Sequence, residues 1–539
     1  MPGPAQMLRL WNTVRHLKFV QVHGRLRFRL SRPRPDVRPA PGLRRVEGTW
    51  VPVAPRRASM VGPHTLRLLN VEHDLDACGW DDASIAKLWR YNLHYFDDLL
   101  AEGCAARMPW HRALLSRWVN ENPPAAGTGW EPYPTSLRIV NWIKWSLAGH
   151  ELPAECVHSL AVQVRWLCRR LEWHLLGNHL FVNAKALVFA GCLFEGDEAD
   201  RWLAQGVDIL RGQIPEQILP DGGQFERSPM YHALALEDML DLANLARAFP
   251  ERSRAWHGRV DERIAPMRRW LSTMCHPDGE VSFFNDSAIG VAPAPAQLDA
   301  YAQRMGLGPV QPPSDGCTLL AESGFVRMQR GPAVVIADVG PVGPDYLPGH
   351  AHADTLSFEL SLHGRRVLVN SGTSEYGTGA ERLRQRGTEA HNTVTVDGQD
   401  SSEVWGGFRV ARRAYPLGLS VHDHGGTIRV RCSHDGFTRL PGRPVHRREW
   451  ELAADSLRVS DTIEGPGHAR SFWHWAPGVD ARTGPRVALA SGSLGVACDG
   501  AALTTAASTW HPEFGLIMSN ERSCAEFSGR SCDVRLDWT

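Results

Sequence analysis

The hydrophobic period of this chain changes once, near residue 300, and that change limits the chain to a helical part followed by a β part. Between about Asp81 and Trp270 apolar residues recur three and four apart, as in Ile85, Leu88, Trp89 and Leu93, or Leu180, Ala184, Leu187 and Val188. The same spacing runs through Leu137, Val140, Ile143 and Trp145, and through Tyr231, Leu234, Leu240 and Leu245. Such positions line one face of a helix. Many helices of moderate length with short loops predict an α-solenoid or a closed ring of helix pairs. From about Leu319 the pattern becomes short alternating runs, among them Gly324 to Met328, Ala333 to Val339, Ser357 to Leu362, Val367 to Val369, Thr393 to Val396, Thr427 to Val430 and Leu457 to Val459. Glycine and proline punctuate them, which predicts an antiparallel sandwich. The expected organisation is a basic arm over 1–60, a helical domain over 61–291, a linker rich in alanine and proline over 292–317, and a β domain over 318–539.

Charge narrows the partners. Lys+Arg and Asp+Glu stand at 59 each in 539 residues, so no global field draws nucleic acid, and an anionic substrate must be met by a local cleft. No run is long and apolar enough to be a transmembrane segment. Arg9, Arg15, Lys18, Arg25, Arg27, Arg29, Arg32, Arg34, Arg38, Arg44 and Arg45 make the first 45 residues strongly basic. That stretch reads as a solvated arm or as a surface for an anionic polymer or membrane. Because Arg and Lys interrupt Leu8 to Leu30, no signal-peptide core is present, and a cytoplasmic location is expected, with a periplasmic or extracellular one by another route left open. Eleven scattered cysteines read as reduced thiols. Oligomeric state is not legible.

Chemistry concentrates in a few segments. In Pro348-Gly-His-Ala-His-Ala-Asp354, an extended backbone would place His350, His352 and Asp354 on one face. With His391 from a neighbouring strand this row suits a metal, a general acid or base near neutral pH, or a set of hydrogen-bonded histidines. In Gly177-Asn-His-Leu-Phe-Val-Asn183, Asn178 either caps a helix or faces a ligand, beside His179 and Asn183. In Asp221-Gly-Gly-Gln-Phe-Glu-Arg-Ser-Pro-Met-Tyr-His232, a glycine turn precedes Glu226, Arg227 and Tyr231. Tyr231 can exchange a proton if a cation lowers its pKa, and is otherwise an amphipathic tyrosine at a helix surface. Trp130, Tyr133, Arg138 and Asn141 suit a cleft where sugar rings stack on aromatic faces, or packing between helices. Trp173 reads as helical core, with Glu172 solvated.

Taken together, the Gly177-Asn-His, Asp221-to-His232, Gly349-His-Ala-His-Ala-Asp and His391-Asn392 motifs resemble the heparinase II/III family of polysaccharide lyases, from about Tyr91-Asn-Leu-His-Tyr-Phe96 to the C-terminus. The resemblance implies an incomplete (α/α) toroid, which would be the catalytic domain, followed by an antiparallel β-sandwich. It implies β-elimination on a uronate-containing (exo)polysaccharide, with Asn178, Tyr231 and His350 catalytic. His179, Asn183, Glu226, Arg227, Trp130, Tyr133, Arg138 and Asn141 would bind substrate, and Glu226 and Asp354 would also orient the catalytic groups. It also implies a structural zinc on His352, His391 and a third ligand, a position held here by Asn370, whose neutral amide is a poorer donor than carboxylate. Without zinc these three should form a hydrogen-bonded cluster. Two other readings remain: a hydrolase using carboxylates among Asp221, Glu226 and Asp286, and a non-catalytic polysaccharide-binding or assembly protein.

Overall fold

The computed structural model describes residues 3–481, 486–489, 492–528 and 531–538. Its N-terminal part is helical, with the longer helices at Met108–Glu121, Pro132–Leu147, Ala154–Arg169, Gly177–Leu193, Asp197–Gln217, Pro229–Ala248 and His257–Met274. Helix Gly177–Leu193 is apolar on every side and buried throughout from Leu180 to Leu193. A helix of that kind belongs in the middle of a core, and it packs on Pro132–Leu147, Asp197–Gln217 and Pro229–Ala248. Lys185 is buried on it because Asp238 and Asp241 receive its ammonium at 2.7 and 2.6 Å.

Two segments read as irregular are ordered helices. Within the expected linker, Pro295–Arg304 is a helix that buries Leu298, Tyr301 and Ala302 in the helical core. Its apolar residues are three and four apart, but its alanines and prolines resemble a loop in composition. The basic N-terminal segment holds helices Pro4–Val14 and Phe19–Leu30.

The C-terminal part is made of antiparallel sheets. Among the described residues, a nine-stranded sheet runs Ala502–Trp510, Met518–Phe527, Ala469–Trp475, Arg365–Leu368, Phe358–Leu362, Ala333–Asp338, Phe325–Arg330 and Gly316–Leu320, with Val394–Val396 paired to Ala469–Trp475. A seven-stranded sheet runs Pro416–His424, Thr427–His434, Val445–Leu452, Ser456–Glu464, Ser531–Trp538, Gly492–Asp499 and Arg486–Leu489. Strand Val445–Leu452 buries every second residue, as expected with one face on a core. Val335, Phe358 and Leu360 of the larger sheet share one apolar cluster with Val430, Trp450 and Val459 of the smaller. Ala333–Asp338 and Phe358–Leu362 are buried at every position. Their other face meets the helical part, where Trp270 and Met274 cluster with Phe325, Val334 and Ile336. That contact sets the helix ends carrying the Asn178 and Tyr231 motifs against the loop carrying His350.

Candidate active site

Tyr231 is placed by its own helix start. Ser228 caps helix Pro229–Ala248 and accepts from the Tyr231 N–H at 3.1 Å, with Pro229 at the first helical position. Before it, Gly222 turns the chain at φ +93°, where a Cβ would lie 2.4 Å from the Pro266 carbonyl oxygen, so only glycine fits. Asp221 closes this turn by accepting from Gly223 N at 2.9 Å and anchors it to the β part through Ser323 N at 2.8 Å.

His350 does not sit on a strand. Residues 339–357 form a loop between strands Ala333–Asp338 and Phe358–Leu362, so the side chains of His350, His352 and Asp354 separate rather than share a face. The loop is fixed through its backbone: Asp286 N donates to His350 O at 2.9 Å, His352 N donates to Asn285 Oδ1 at 2.9 Å, and Arg386 holds Ala351 O at 2.8 and 3.0 Å. Asp354 turns inward to accept from Asn285 N at 3.0 Å.

The resulting centre spans both parts of the chain. The His350 ring stacks on Tyr231 with centroids 3.8 Å apart and an angle of 17°. Glu226 Oε2 lies 2.5 Å from His350 Nδ1, and its other oxygen accepts from Gln224 Nε2 at 3.2 Å. A buried carboxylate at Nδ1 fixes the ring so that Nε2 is the nitrogen left for a proton in transit. The Tyr231 hydroxyl lies 3.0 Å from that of Tyr376. The nearby cation Arg382 is outweighed: burial, and then the neighbouring Tyr376, push the Tyr231 pKa well above the usual tyrosine value. Tyr231 is therefore a protonated hydroxyl, suited to giving a proton. Arg382 lies over the Tyr376 ring at 4.9 Å, but its charge is spent on buried Asp286 at 2.7 Å.

Asn178 occupies the second position of helix Gly177–Leu193 and does not cap it, Leu176 being the residue at the cap. It is half-buried, and its amide makes no hydrogen bond among the described residues. Nearby His179 packs on Tyr133 with ring centroids 4.5 Å apart, and its Nδ1 lies 3.1 Å from Glu172 Oε1. Burial works against the imidazolium, but Glu172 outweighs it and holds the His179 pKa above 6.5. Glu172 is thus buried and half of an ion pair, while Trp173 is the exposed residue, the reverse of the expected arrangement.

Several residues expected on substrate are committed elsewhere. Asn183 is fully buried and bridges Glu172 and Ser136, so it positions Glu172. Glu226 is buried and holds His350, which agrees with its reading as an orienter rather than a substrate contact. Arg227, at φ +59°, reaches Ser323 O and Glu322 O at 2.9 and 3.2 Å and ties the two parts together. Arg138 is fully buried, stacked 3.8 Å over Trp118 and bonded to Gln163. Trp130 donates to Asn122 O, and Asn141 to Tyr95 O and Asp97 Oδ1. These last three are internal packing: helix Pro132–Leu147 lies in the core, and aromatic and planar polar groups satisfy one another there.

Of the three residues expected to hold zinc or to cluster without it, only the two histidines bond to each other, and Asn370 bonds neither ring. His352 Nδ1 faces His391 Nε2 at 3.0 Å, His352 Nε2 faces Asp286 at 2.9 Å, and His391 Nδ1 faces Gly387 O at 2.8 Å. Asn370 turns its amide oxygen to Asn392 N–H at 3.0 Å. Two imidazoles with an already engaged neutral amide fit a divalent ion poorly. No group of three or more His, Cys, Asp or Glu suited to a metal occurs among the described residues. Of the carboxylates considered for a hydrolase, Asp286 is held by Arg382 and His352, Asp221 by its turn and Ser323, and Glu226 by His350.

Tyr376 and Arg382 were not singled out from sequence, and Glu172 was read only as a solvated neighbour of Trp173. Tyr376 had one signal, a tyrosine among the glycines that follow Asn370-Ser-Gly372; Arg382 and Glu172 had none, because long-range burial alone makes them matter.

Known proteins match along this framework. The family profile "Heparinase II/III N-terminus" covers residues 110–303, and "Heparinase II/III-like, C-terminal" covers 312–539. FtsZ-localized protein C of Caulobacter vibrioides is 25% identical over 459 residues, 82% of this chain and 76% of that protein. Heparin-sulfate lyase of Pedobacter heparinus is 28% identical over 254 residues, 42% of this chain but only 36% of the lyase. A crystal structure of heparinase III superposes with a TM-score of 0.69 at 18% identity, over 85% of this chain and 79% of that one. With both profiles in order over most of its length, the chain belongs to the heparinase II/III-like family of polysaccharide lyases, which are carbon–oxygen lyases.

Proposed function

We propose that the protein cleaves a uronate-containing polysaccharide by β-elimination at the Tyr231–His350 centre. The observation that carries this is the stacked His350–Tyr231 pair with Glu226 at His350 Nδ1. His350 Nε2 takes the C5 proton of the uronate, the C5 electron pair forms the C4–C5 double bond, and the C4–O bond breaks. Tyr231 gives its phenolic proton to the departing glycosidic oxygen. Between turnovers the proton on His350 leaves to solvent and Tyr231 is reprotonated. Asn178 and the imidazolium of His179 neutralise the uronate carboxylate, which makes the C5 proton acidic enough to remove. In the same reading the helical part is an incomplete (α/α) toroid, and the two sheets with their shared core are a sandwich.

Incubation with a panel of uronate polysaccharides, followed by ultraviolet absorbance of the unsaturated product, tests this. Absorbance should rise with wild type and fail to rise with Tyr231→Phe or His350→Ala. A second reading, binding or assembly without turnover, is favoured by the relative that spans 82% of this chain being named for its localisation. It would show as retention of a polysaccharide with neither new absorbance nor new reducing ends.

A further inference from the structure

The N-terminal helices turn the wrong side outward. In helix Pro4–Val14 the polar side meets the protein: Asn12 is buried and Thr13 accepts from Trp405 Nε1 at 3.0 Å. Met7, Leu10, Trp11 and Val14, which share the opposite face, are exposed, Trp11 at 61%. Helix Phe19–Leu30 repeats the arrangement. It buries Gln21 and Gly24, and its outer face carries Phe19, Val22, Leu26 and Leu30, with Phe19 and Leu30 above 80% exposed. Two adjacent helices with outward apolar stripes are not the ordinary scatter of surface hydrophobics.

The attachment of these helices is firm. Gln21 Nε2 donates to Tyr346 O at 3.1 Å, Lys18 lies 3.7 Å over the Tyr346 ring, and Arg170 donates to the Phe28 and Ser31 carbonyls. Gly24 lets the backbone approach residues 173–174, where a Cβ would stand 3.0 Å from His174 N.

Charge identifies the occupant. Arg9, Arg25, Arg27, Arg29, Arg32 and Arg34 are exposed and make no ion pair among the described residues, and no acid occurs before Asp36. An apolar stripe with exposed Trp and Phe, flanked by free arginines, is the form of a helix that lies in a lipid interface, its rings among acyl chains and its guanidiniums on phosphates. A soluble polyanion would use the arginines and leave the stripe in water.

We propose that helices Pro4–Val14 and Phe19–Leu30 dock this protein on an anionic lipid bilayer. Since Gln21 and Lys18 grip Tyr346, on the loop that carries His350, docking would tie that loop to the membrane-bound helices.

Flotation of the full chain with vesicles of phosphatidylcholine alone, or with added phosphatidylglycerol, tests this. Binding is expected to the anionic vesicles only. It should fall about tenfold or more in Phe19→Ser/Leu26→Ser, and separately in Trp11→Ser, with circular dichroism unchanged because these side chains are exposed. The proposal fails if neither vesicle carries the protein, or if the apolar variants float like wild type. It also fails if dextran sulfate removes the protein from vesicles while its own binding ignores Phe19→Ser, which would mark a polyanion site. A wild-type dimer without lipid that Leu26→Ser splits would assign the face to a second copy and overturn it too.

Discussion

The hydroxyls of Tyr231 and Tyr376 stand 3.0 Å apart, one on the first turn of a helix and the other on a loop of the β part, so the proton-bearing group is shared between the two parts of the chain. Burial raises both pKa values well above that of a free tyrosine. Tyr376 therefore supports the neutral hydroxyl of Tyr231 and orients it. Tyr231→Phe removes the proton donor and should lower kcat by about 10²–10⁴. Tyr376→Phe keeps the donor but frees its orientation, and the expected loss is about tenfold in kcat with KM little changed. A Tyr376→Phe enzyme as fast as wild type would exclude this role.

Glu226 acts through His350. Glu226→Gln leaves a neutral amide at Nδ1, which can present an N–H there and favour the wrong tautomer. The expected result is a drop of about 10²-fold or more in kcat with substrate affinity retained, measured as a split between kcat and KM and by direct binding to the inactive enzyme. If affinity fell and kcat did not, Glu226 would be a substrate contact instead.

Gly177 couples the Asn178 motif to the His350 loop. It has φ +54°, and a Cβ there would lie 2.4 Å from Leu347 Cδ2 and 3.2 Å from Glu226 Oε1. Gly177→Ala must push Leu347, three residues before His350, and holds alanine in the left-handed region at about 1 kcal/mol or more. Activity should fall more than stability, read as turnover against the thermal midpoint. Equal activity would mean that the loop moves aside freely.

How much was legible follows from range. Period and punctuation located the helical region between about 81 and 270 and the central strands, because each depends on neighbours within a few residues. Asn178, Tyr231 and His350 were singled out by their motifs and given roles by resemblance, and the structure sets those motifs at one helix start, one cap and one loop. Glu172 was misread because Trp173 looked like core, and only the fold shows that a buried Asn183 draws Glu172 inward. Arg138, Asn141 and Trp130 were drawn toward a cleft by residue type, yet burial in the helical core decides their partners.

The same limit applies to Asn370. A carboxylate in its place would add charge beside His352 and His391, so Asn370→Asp is expected to raise zinc bound per chain, measured by elemental analysis after dialysis, while wild type binds little. Full zinc occupancy in wild type would overturn the fit drawn from the Asn370–Asn392 hydrogen bond.

His232 gives the clearest pH dependence. Its Nε2–H donates to Met267 O at 2.9 Å, and its Nδ1 accepts from Gln224 N at 3.2 Å, so the folded state needs the neutral ring. Burial lowers its pKa from 6.5 to about 4. As pH falls below about 6.5 the unfolded chain takes the proton first. The stability contributed by the neutral ring is therefore complete above that value and is lost as pH drops toward about 4, at a rate of about 1.4 kcal/mol for each pH step of one. Buried His94, lowered to about 3, adds in the same direction. Denaturation midpoints should decline between pH 6.5 and about 4.5, and His232→Gln, with one donor and one acceptor that do not titrate, should flatten part of that decline. Because Gln224 also holds Glu226, protonation of His232 in the folded state would loosen the anchor of His350. Acid inactivation should then precede unfolding in wild type and move to lower pH in His232→Gln; an unchanged profile would separate His232 from the centre.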